Sequence, residues 1–300
     1  MATVNRTRLT GLSLFSMRPV RRRRKLRNIL YAALVLVSFA ALIYLAVRKG
    51  VLLFRERSGI FGDNDIITVS DLWQLGNYVE VAATAEKELE KNPLDRNSLL
   101  YAGFSRFYLA IARLSAEERN SDLDRAIAHL RLLKAAGGAD NPAQVDYVLG
   151  KAYLFKGKYW ADLAIRYLQT SFDSGYESED ILEFIGRAYS MLDEVENALL
   201  WYELAAEKHP TDRLLITLGN EAFKLGRYES AAEYYKRSID TTKDEELKNK
   251  GLSYLGQLYY DVGNFIMAKD IFETLVDIEP NNQDYQFGLG EIYRQLGISN

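Results

Sequence analysis

The chain of 300 residues contains no cysteine, only two histidines and only five prolines. Without cysteine it has no disulfides, thiolate metal ligands or cysteine nucleophiles. His129 and His209 stand far apart in the sequence, and neither has acidic residues at the spacing typical of a metal or catalytic site. The glycines occur singly or as one pair, so no glycine-rich phosphate loop is present. These absences argue against an enzyme and predict no cofactor, no metal and no small-molecule substrate.

Acidic residues are almost missing from the N-terminal part of the chain. Residues 1–57 hold 13 of the 38 Lys and Arg residues but only one of the 41 Asp and Glu residues, Glu56. Residues 58–300 therefore carry 25 basic and 40 acidic side chains. This excess of negative charge predicts no binding to nucleic acid, because phosphate recognition needs basic patches.

Long apolar runs are also rare, and the one that is present lies near the N-terminus. Residues 29–47 are 19 consecutive uncharged positions. As a helix they would extend about 28 Å, close to the thickness of a bilayer core. Nine basic residues and no acids precede them, which favours a cytoplasmic N-terminus. We predict a basic cytoplasmic tail over 1–28, a transmembrane helix in the lipid bilayer over 29–47, and a juxtamembrane linker over 48–70.

Two other interpretations of this segment compete with a transmembrane anchor. A cleaved signal peptide would have a shorter apolar core and a site with small residues, and residues 46–48 make a poor site. A cytosol-facing folded domain remains open, because four basic residues follow the apolar segment between positions 48 and 57. The favoured topology is that of a single-pass membrane protein, with the folded domain, residues 71–300, across the membrane from the N-terminus. Ser70 is expected to cap its first helix.

That folded domain contains a recurring pattern, Leu or Ile followed by Gly, with an aromatic residue usually three positions after the glycine. The copies follow one another at nearly constant spacing. A period of roughly 34 residues predicts an array of stacked units rather than one globule. Helical i, i+3, i+4 spacing dominates and strict alternation is absent, so we predict an all-α fold. The five copies are Leu149-Gly150, Ile185-Gly186, Leu218-Gly219, Leu255-Gly256 and Leu289-Gly290.

Glycine within a helix costs about 1 kcal/mol of stability relative to alanine. Five glycines at the same position of the repeat therefore require a structural explanation. Close packing of a second helix would supply it. That second helix should carry an alanine and, four residues later, a large apolar residue on the same face. The sequence contains four such pairs at the expected distance: Ala164 with Leu168, Ala198 with Tyr202, Ala231 with Tyr235, and Ala268 with Phe272.

These residues resemble the tetratricopeptide repeat, a helix–turn–helix unit of about 34 residues. The resemblance covers roughly residues 71–297. It implies a superhelical solenoid of antiparallel helix pairs, with about six repeats. The first two repeats are degenerate, and the second has an insertion around residues 115–121 that we assign to a lengthened first helix. Residues 283–297 are expected to form a C-terminal capping helix, with Phe287, Leu289, Ile292, Tyr293 and Leu296 facing the array.

The resemblance also implies a concave groove, lined by the first helices of successive repeats, that binds a peptide or a partner helix. Lysine and arginine in it would give a polar strip, and aromatic residues would give apolar anchors. Mapped onto this chain, the predicted groove positions are Tyr147, Lys151, Glu183, Arg187, Ile216, Asn220, Phe223, Ser253, Gln257 and Tyr260. Glu183 stands where chaperone-tail binders have a cation, so a cytosolic heat-shock chaperone tail is not the expected ligand.

The array also resembles the tetratricopeptide proteins of the bacterial cell envelope, which implies a single-pass protein of the inner membrane with its repeats in the periplasm. We therefore expect a non-catalytic, membrane-anchored scaffold or adaptor with protein partners, involved in assembling a bacterial cell-envelope complex. The alternative from another class is a chaperone-like periplasmic factor associated with the protein-export channel. A scaffold has few stoichiometric partners, whereas a chaperone binds many unfolded clients. An enzyme is a third hypothesis, and no motif in the sequence favours it.

Overall fold

The computed structural model describes residues 68–298, and over that range the chain is helical without β-strands. The predicted tail and transmembrane helix, and nearly all of the predicted linker, lie outside the described residues. None of the helices between Thr68 and Ile298 is long and apolar enough to cross a membrane. The helices are α1 Val69–Gln74, α2 Tyr78–Lys91, α3 Arg96–Ala112, α4 Ala116–Ala135, α5 Pro142–Lys156, α6 Ala161–Asp173, α7 Ile181–Met191, α8 Val195–Lys208, α9 Asp212–Lys224, α10 Tyr228–Thr241, α11 Glu245–Asp261, α12 Phe265–Ile278 and α13 Gln283–Leu296.

The helices pack in chain order, each chiefly against the helix before it and the helix after it. Six antiparallel pairs run from α1–α2 to α11–α12, and α13 follows as a single helix. The buried apolar residues extend along the whole series, with Tyr147, Phe184 and Tyr189 packing against the core of the pairs on both sides. This nearest-neighbour arrangement is a solenoid, in which each pair buries its apolar face against adjacent pairs.

The N-cap of the first helix lies two residues earlier in the chain than predicted. Thr68, not Ser70, is the N-cap of α1, and Ser70 lies inside the first turn. The Asp71 N–H donates to the Thr68 hydroxyl over 3.3 Å, and the Thr68 N–H donates to the Asp71 carboxylate over 2.8 Å. This reciprocal pair is a capping box, which leaves fewer N–H groups unsatisfied than a serine cap alone would. The prediction of Ser70 was wrong because it did not consider the third helical residue, Asp71, whose side chain accepts a hydrogen bond from the Thr68 backbone.

The turn between the two helices of a pair needs a residue with left-handed backbone. Gly226 and Gly263 have φ of 70° and 78° in two of these turns. Asp193 takes the same place in the α7–α8 turn with φ of 66°, and over residues 68–298 it is the one residue other than glycine with positive φ. Aspartate tolerates this region better than most side chains, so the turn geometry is kept where the glycine is missing.

The repeated helix glycines are the places where the second helix of each pair comes closest. A Cβ atom added to Gly219 would lie 2.4 Å from the ring of Tyr235, far inside van der Waals contact. The same contact recurs along the array between Gly103 and Leu130, Gly150 and Leu168, Gly186 and Tyr202, and Gly256 and Phe272. The structure thus confirms the packing reason predicted for four of the five glycines in the pattern.

The α3–α4 pair is longer than the others, but not where the sequence suggested. Helix α3 has 17 residues and α4 has 20. The inserted residues 116–121 form the start of α4, capped by Ser115, rather than an extension of the first helix. Glu117 and Glu118 lie in the first turn of α4, where the helix dipole favours negative charge. The result is a helical hairpin with longer helices than the neighbouring pairs, closed by a three-residue turn at 113–115.

Largely buried ion pairs hold the middle of this hairpin to α2. The guanidinium of Arg106 contacts Glu86 at 2.6 Å and Asp122 at 2.9 Å. Burial alone would raise the pKa of Glu86, but hydrogen bonds from His129 and Arg106, with the charge of Arg125, outweigh it and lower that pKa to about 2. His129 therefore has a structural role: its Nε2 lies 3.3 Å from Glu86.

Helix α13 covers the end of α12 largely with the predicted face, because Leu289 and Leu296 pack against the same apolar cluster as the buried Ile292. Ile292 is buried, and Gly288 packs against the ring of Phe272. Phe287, predicted to face the array, is instead 72% exposed. Phe287 lies five residues before Ile292 and therefore projects from another side of the helix. Residue type alone did not distinguish this exposed side from the buried one. Gly290 differs from its counterparts, since a Cβ added there meets nothing within 4 Å.

Candidate partner-binding groove

The predicted groove positions all lie on the first helices of four successive pairs. Within each helix they are spaced by three or four residues, so they share one face. They are Tyr147 and Lys151 on α5, Glu183 and Arg187 on α7, Ile216, Asn220 and Phe223 on α9, and Ser253, Gln257 and Tyr260 on α11. We refer to this face of α5, α7, α9, α11 and α13 as the groove.

Lys151 joins two helices of the groove. Its ammonium lies 3.0 Å from the Asp180 carboxylate, which also accepts a hydrogen bond from the Tyr147 hydroxyl over 2.5 Å. The same ammonium lies 4.2 Å from the ring centre of Phe184 and 4.8 Å from that of Tyr147. Only 14% of the Lys151 side chain is exposed. Lys151 therefore fastens α5 to α7 and is poorly placed to clamp a partner's carboxylate.

The ionisation of this cluster follows from burial and hydrogen bonding. Burial raises the pKa of Tyr147, and the bond to Asp180 raises it further. Burial alone would raise the pKa of Asp180, but hydrogen bonds from Ser178, Tyr147 and Lys151 outweigh it and lower that pKa. The cluster is thus an ion pair with a neutral tyrosine at ordinary pH. Asp180 and Phe184 were not predicted as groove residues from the sequence, although both stand within one helical turn of Glu183.

Of the two cations predicted for the groove, Arg187 is the one that remains exposed. Its guanidinium carbon lies 5.8 Å from the ring centre of Phe155, and among residues 68–298 it makes no ion pair within 4.0 Å. Glu183, one turn earlier, also reaches solvent, but the protein around its carboxyl group partly desolvates it. This desolvation, followed by the charge of Asp180, raises the pKa of Glu183 against the effect of Arg187. Arg187 therefore offers a guanidinium fork to a carboxylate or a backbone carbonyl of a partner.

On α9 the predicted positions are largely used by the fold. The Asn220 side-chain oxygen accepts from the Tyr235 hydroxyl over 2.7 Å, and Ile216 is only 4% exposed. Phe223 packs edge-on against Tyr228. The structure also shows a link that the sequence did not indicate: Ser190 of α7 donates to the buried Glu221 over 2.7 Å. Asn220 and Ile216 thus leave little for a partner to contact.

The groove opens between α11 and α13 into a cavity of about 1010 Å³. The α11 side supplies Ser253, Gln257 and Tyr260, three of the predicted positions. The α13 side contributes the exposed Phe287, with Glu291 ion-paired to Arg294 beside it. A wide polar opening with exposed aromatic side chains can hold an extended peptide or a helix, through backbone hydrogen bonds and apolar anchors.

The titratable side chains of the described residues differ from the arrangement that a metal site needs. Among residues 68–298, no three His, Asp or Glu side chains form a group able to hold a metal ion. His129 is bound to Glu86 on the second-helix side of the array, away from the positions lining the groove. The side chains of the groove are suited to hydrogen bonding, ion pairing and apolar contact.

Family models of the tetratricopeptide repeat match this chain at residues 147–213, 212–244 and 255–282. Among curated proteins, the human protein O-mannosyl-transferase TMTC1 is 28% identical over 83 residues, which cover 28% of this chain and 9% of that protein. The TPR repeat-containing protein YpiA of Bacillus subtilis is 25% identical over 107 residues, covering 35% of this chain and 25% of YpiA. This chain therefore matches only a minor part of each of these relatives.

Solved structures share the fold at low sequence identity. YrrB, a TPR protein with an unusual peptide-binding site, has a TM-score of 0.54 and 17% identity, over 69% of this chain and 97% of YrrB. PilF of Pseudomonas aeruginosa has a TM-score of 0.51 and 16% identity, over 74% of this chain and 94% of PilF. At such identities the likeness concerns the fold alone. With the glycine packing and the family matches, it establishes that this chain carries tetratricopeptide repeats over residues 147–244 and 255–282.

Proposed function

We propose that this chain is a non-catalytic scaffold or adaptor that binds a protein partner in the groove, chiefly between α11 and α13. The observation that carries the proposal is the exposed Phe287 beside a cavity of about 1010 Å³ whose other wall includes Tyr260. Aromatic side chains of this kind commonly dominate the binding free energy of an interface. Tetratricopeptide arrays generally mediate protein–protein interactions, which supports the same conclusion.

The compartment is part of this proposal. Residues 29–47 have the length and composition of a membrane-spanning helix, and the basic residues before them favour a cytoplasmic N-terminus. We infer a single-pass anchor in a bacterial inner membrane, with the array in the periplasm and a role in assembling a cell-envelope complex. Support for this placement comes from the sequence alone.

Crosslinking in cells followed by purification of the full-length chain tests the function. A scaffold should bring down one or two partners in fixed ratio. Phe287→Ala should remove them, while Leu94→Ala, an exposed control in the turn between α2 and α3, should not. A broad set of unfolded envelope proteins together with the export channel would instead favour the chaperone-like factor. Partners retained by Phe287→Ala would place binding elsewhere.

A further inference from the structure

The turns joining the first and second helices of the first three pairs display large exposed apolar side chains, as does the α11–α12 turn with Val262, Ile266 and Met267. We call residues 75–79, 111–115 and 157–160 the turn edge. Leu114 at the tip of the α3–α4 hairpin is fully exposed, and Tyr159 is 87% exposed. Leu75, Val79 and Ile111 are also exposed on it. At the opposite ends of the same pairs, the exposed large apolar side chains are Leu94 and Leu132.

These side chains stand on one continuous, rigid edge. The Tyr78 and Tyr108 rings stack at 4.8 Å between the first and second turns, and Phe107 contacts Phe155 at 6.2 Å toward the third. The ammonium of Lys156 lies 4.7 Å from the ring centre of Trp160, which fixes the base of the third turn. Because the α3–α4 hairpin is extended, Leu114 projects as a tip rather than lining a concave site.

We propose that the turn edge inserts its apolar tips into the interfacial layer of a lipid bilayer. This inference rests on the membrane anchoring in the proposed function. Projecting leucines with tyrosine and tryptophan at their base match the side chains that favour a membrane–water interface. A row of exposed side chains on separate turns fits a flat, deformable surface better than a protein pocket, which would surround a single projecting side chain.

The edge has no excess of basic charge, because Glu80 and Glu117 are also exposed beside it, so the contact depends on tethering. Exposed Lys158 is offset by Asp162, and Arg113 is paired with Asp122 and Glu118. Without a basic patch, a few inserted side chains bind a bilayer weakly. Holding the array beside the membrane raises the effective concentration of lipid and makes a weak contact persistent.

The length of chain before the array allows this contact. Twenty residues, 48–67, separate the apolar segment from Thr68, and fully extended they would reach at most about 70 Å. Helix α1 has only six residues, or about 9 Å of helix, so the chain enters the array close to the first turn of the edge. The edge is therefore within reach of the membrane that the apolar segment would enter.

The absence of native cysteine allows a direct test with the full chain. Leu114→Cys, Tyr159→Cys and the control Leu94→Cys each receive one environment-sensitive fluorophore. The labelled chains are then placed in phosphatidylcholine–phosphatidylglycerol nanodiscs with spin-labelled lipid. We expect blue-shifted emission and severalfold stronger quenching at positions 114 and 159 than at 94. A label at Ile111→Cys should lose its quenching when Leu114→Ser and Tyr159→Ser are added.

Each other outcome overturns the inference. A chain that enters nanodiscs but shows equal or no quenching at the three positions refutes the lipid contact and leaves the anchor intact. A chain that does not enter nanodiscs refutes the anchor and the lipid contact together. This result has no bearing on partner binding by the groove. Labels at 114 and 159 that respond to a co-purified protein and not to lipid would make the edge a protein-docking surface.

Discussion

Replacing a single helix glycine by alanine should have opposite effects on stability at two equivalent positions of the array. At Gly219 a Cβ would lie 2.4 Å from Cε1 and 2.6 Å from Cδ1 of Tyr235, so the ring or its helix must move by about 1 Å to restore ordinary contact distances. Overpacking of this kind costs about 1–3 kcal/mol. Removing the intrinsic penalty of glycine in a helix recovers about 1 kcal/mol. Gly219→Ala should therefore destabilise the array by about 1 kcal/mol.

At Gly290 the same substitution meets nothing within 4 Å. Only the gain in helix propensity remains, so Gly290→Ala should stabilise α13 by about 0.5–1 kcal/mol. The two substitutions are chemically identical and both lie in helices, which makes each the control for the other. The free energies of unfolding should therefore differ by about 2 kcal/mol between the variants.

Urea denaturation followed by circular dichroism in the far ultraviolet measures both variants against the parent chain. A double-mutant cycle assigns the cause: in a Tyr235→Ala background, Gly219→Ala should no longer destabilise, because the ring it meets is gone. Equal shifts at Gly219 and Gly290, or an unchanged effect of Gly219→Ala after removal of the Tyr235 ring, would refute the packing argument.

Three further predictions concern the charges and the groove. Glu86 has a pKa of about 2 in the folded chain, below its ordinary value of 4.5, so its stabilising effect is complete above about pH 4.5 and is lost as pH falls toward 2; Glu86→Gln should flatten the fall in stability over that window in acid titrations. Lys151→Glu should lower the melting temperature because it breaks the Asp180 ion pair. Arg187→Glu should leave that temperature unchanged and weaken partner binding in a pull-down. Melting-temperature shifts of the same size in both variants would contradict the claim that only Lys151 is held in an ion pair. Phe287→Ala should weaken partner binding by tenfold or more, the size expected for an aromatic hot spot, without a change in melting temperature.

The architecture was predictable because the repeat appears in the sequence as glycines and alanine–apolar pairs that recur at a nearly constant period. Gly219 and Tyr235 lie on successive helices, and their contact followed from the reasoning that a helix glycine needs a packing partner. Helix caps were less predictable, since Thr68 and Ser70 are both good capping residues and only the Asp71 side chain distinguishes them. The choice between the two depends on a local hydrogen bond rather than on the period.

The groove was predictable as a face but not residue by residue. Lys151 occupies a groove position, yet its ammonium contacts Asp180 at the start of α7. Ile216 occupies another and is buried, beside the close approach of Gly251 to Ile239 on the neighbouring helices. The period specifies which helix face a residue occupies, whereas its exposure depends on the neighbouring pair, whose side chains the period does not describe.

The most direct test of the account is site-specific photocrosslinking from the groove in living cells. A photoreactive residue would replace Gln257, which lines the cavity between α11 and α13, and in a matched variant would replace exposed Leu200 on the second helix α8. The account predicts that position 257 crosslinks to one or two defined proteins, that Phe287→Ala abolishes those products, and that position 200 gives none of them. The same products from both positions, or none from position 257, would contradict the claim that this groove binds the partner.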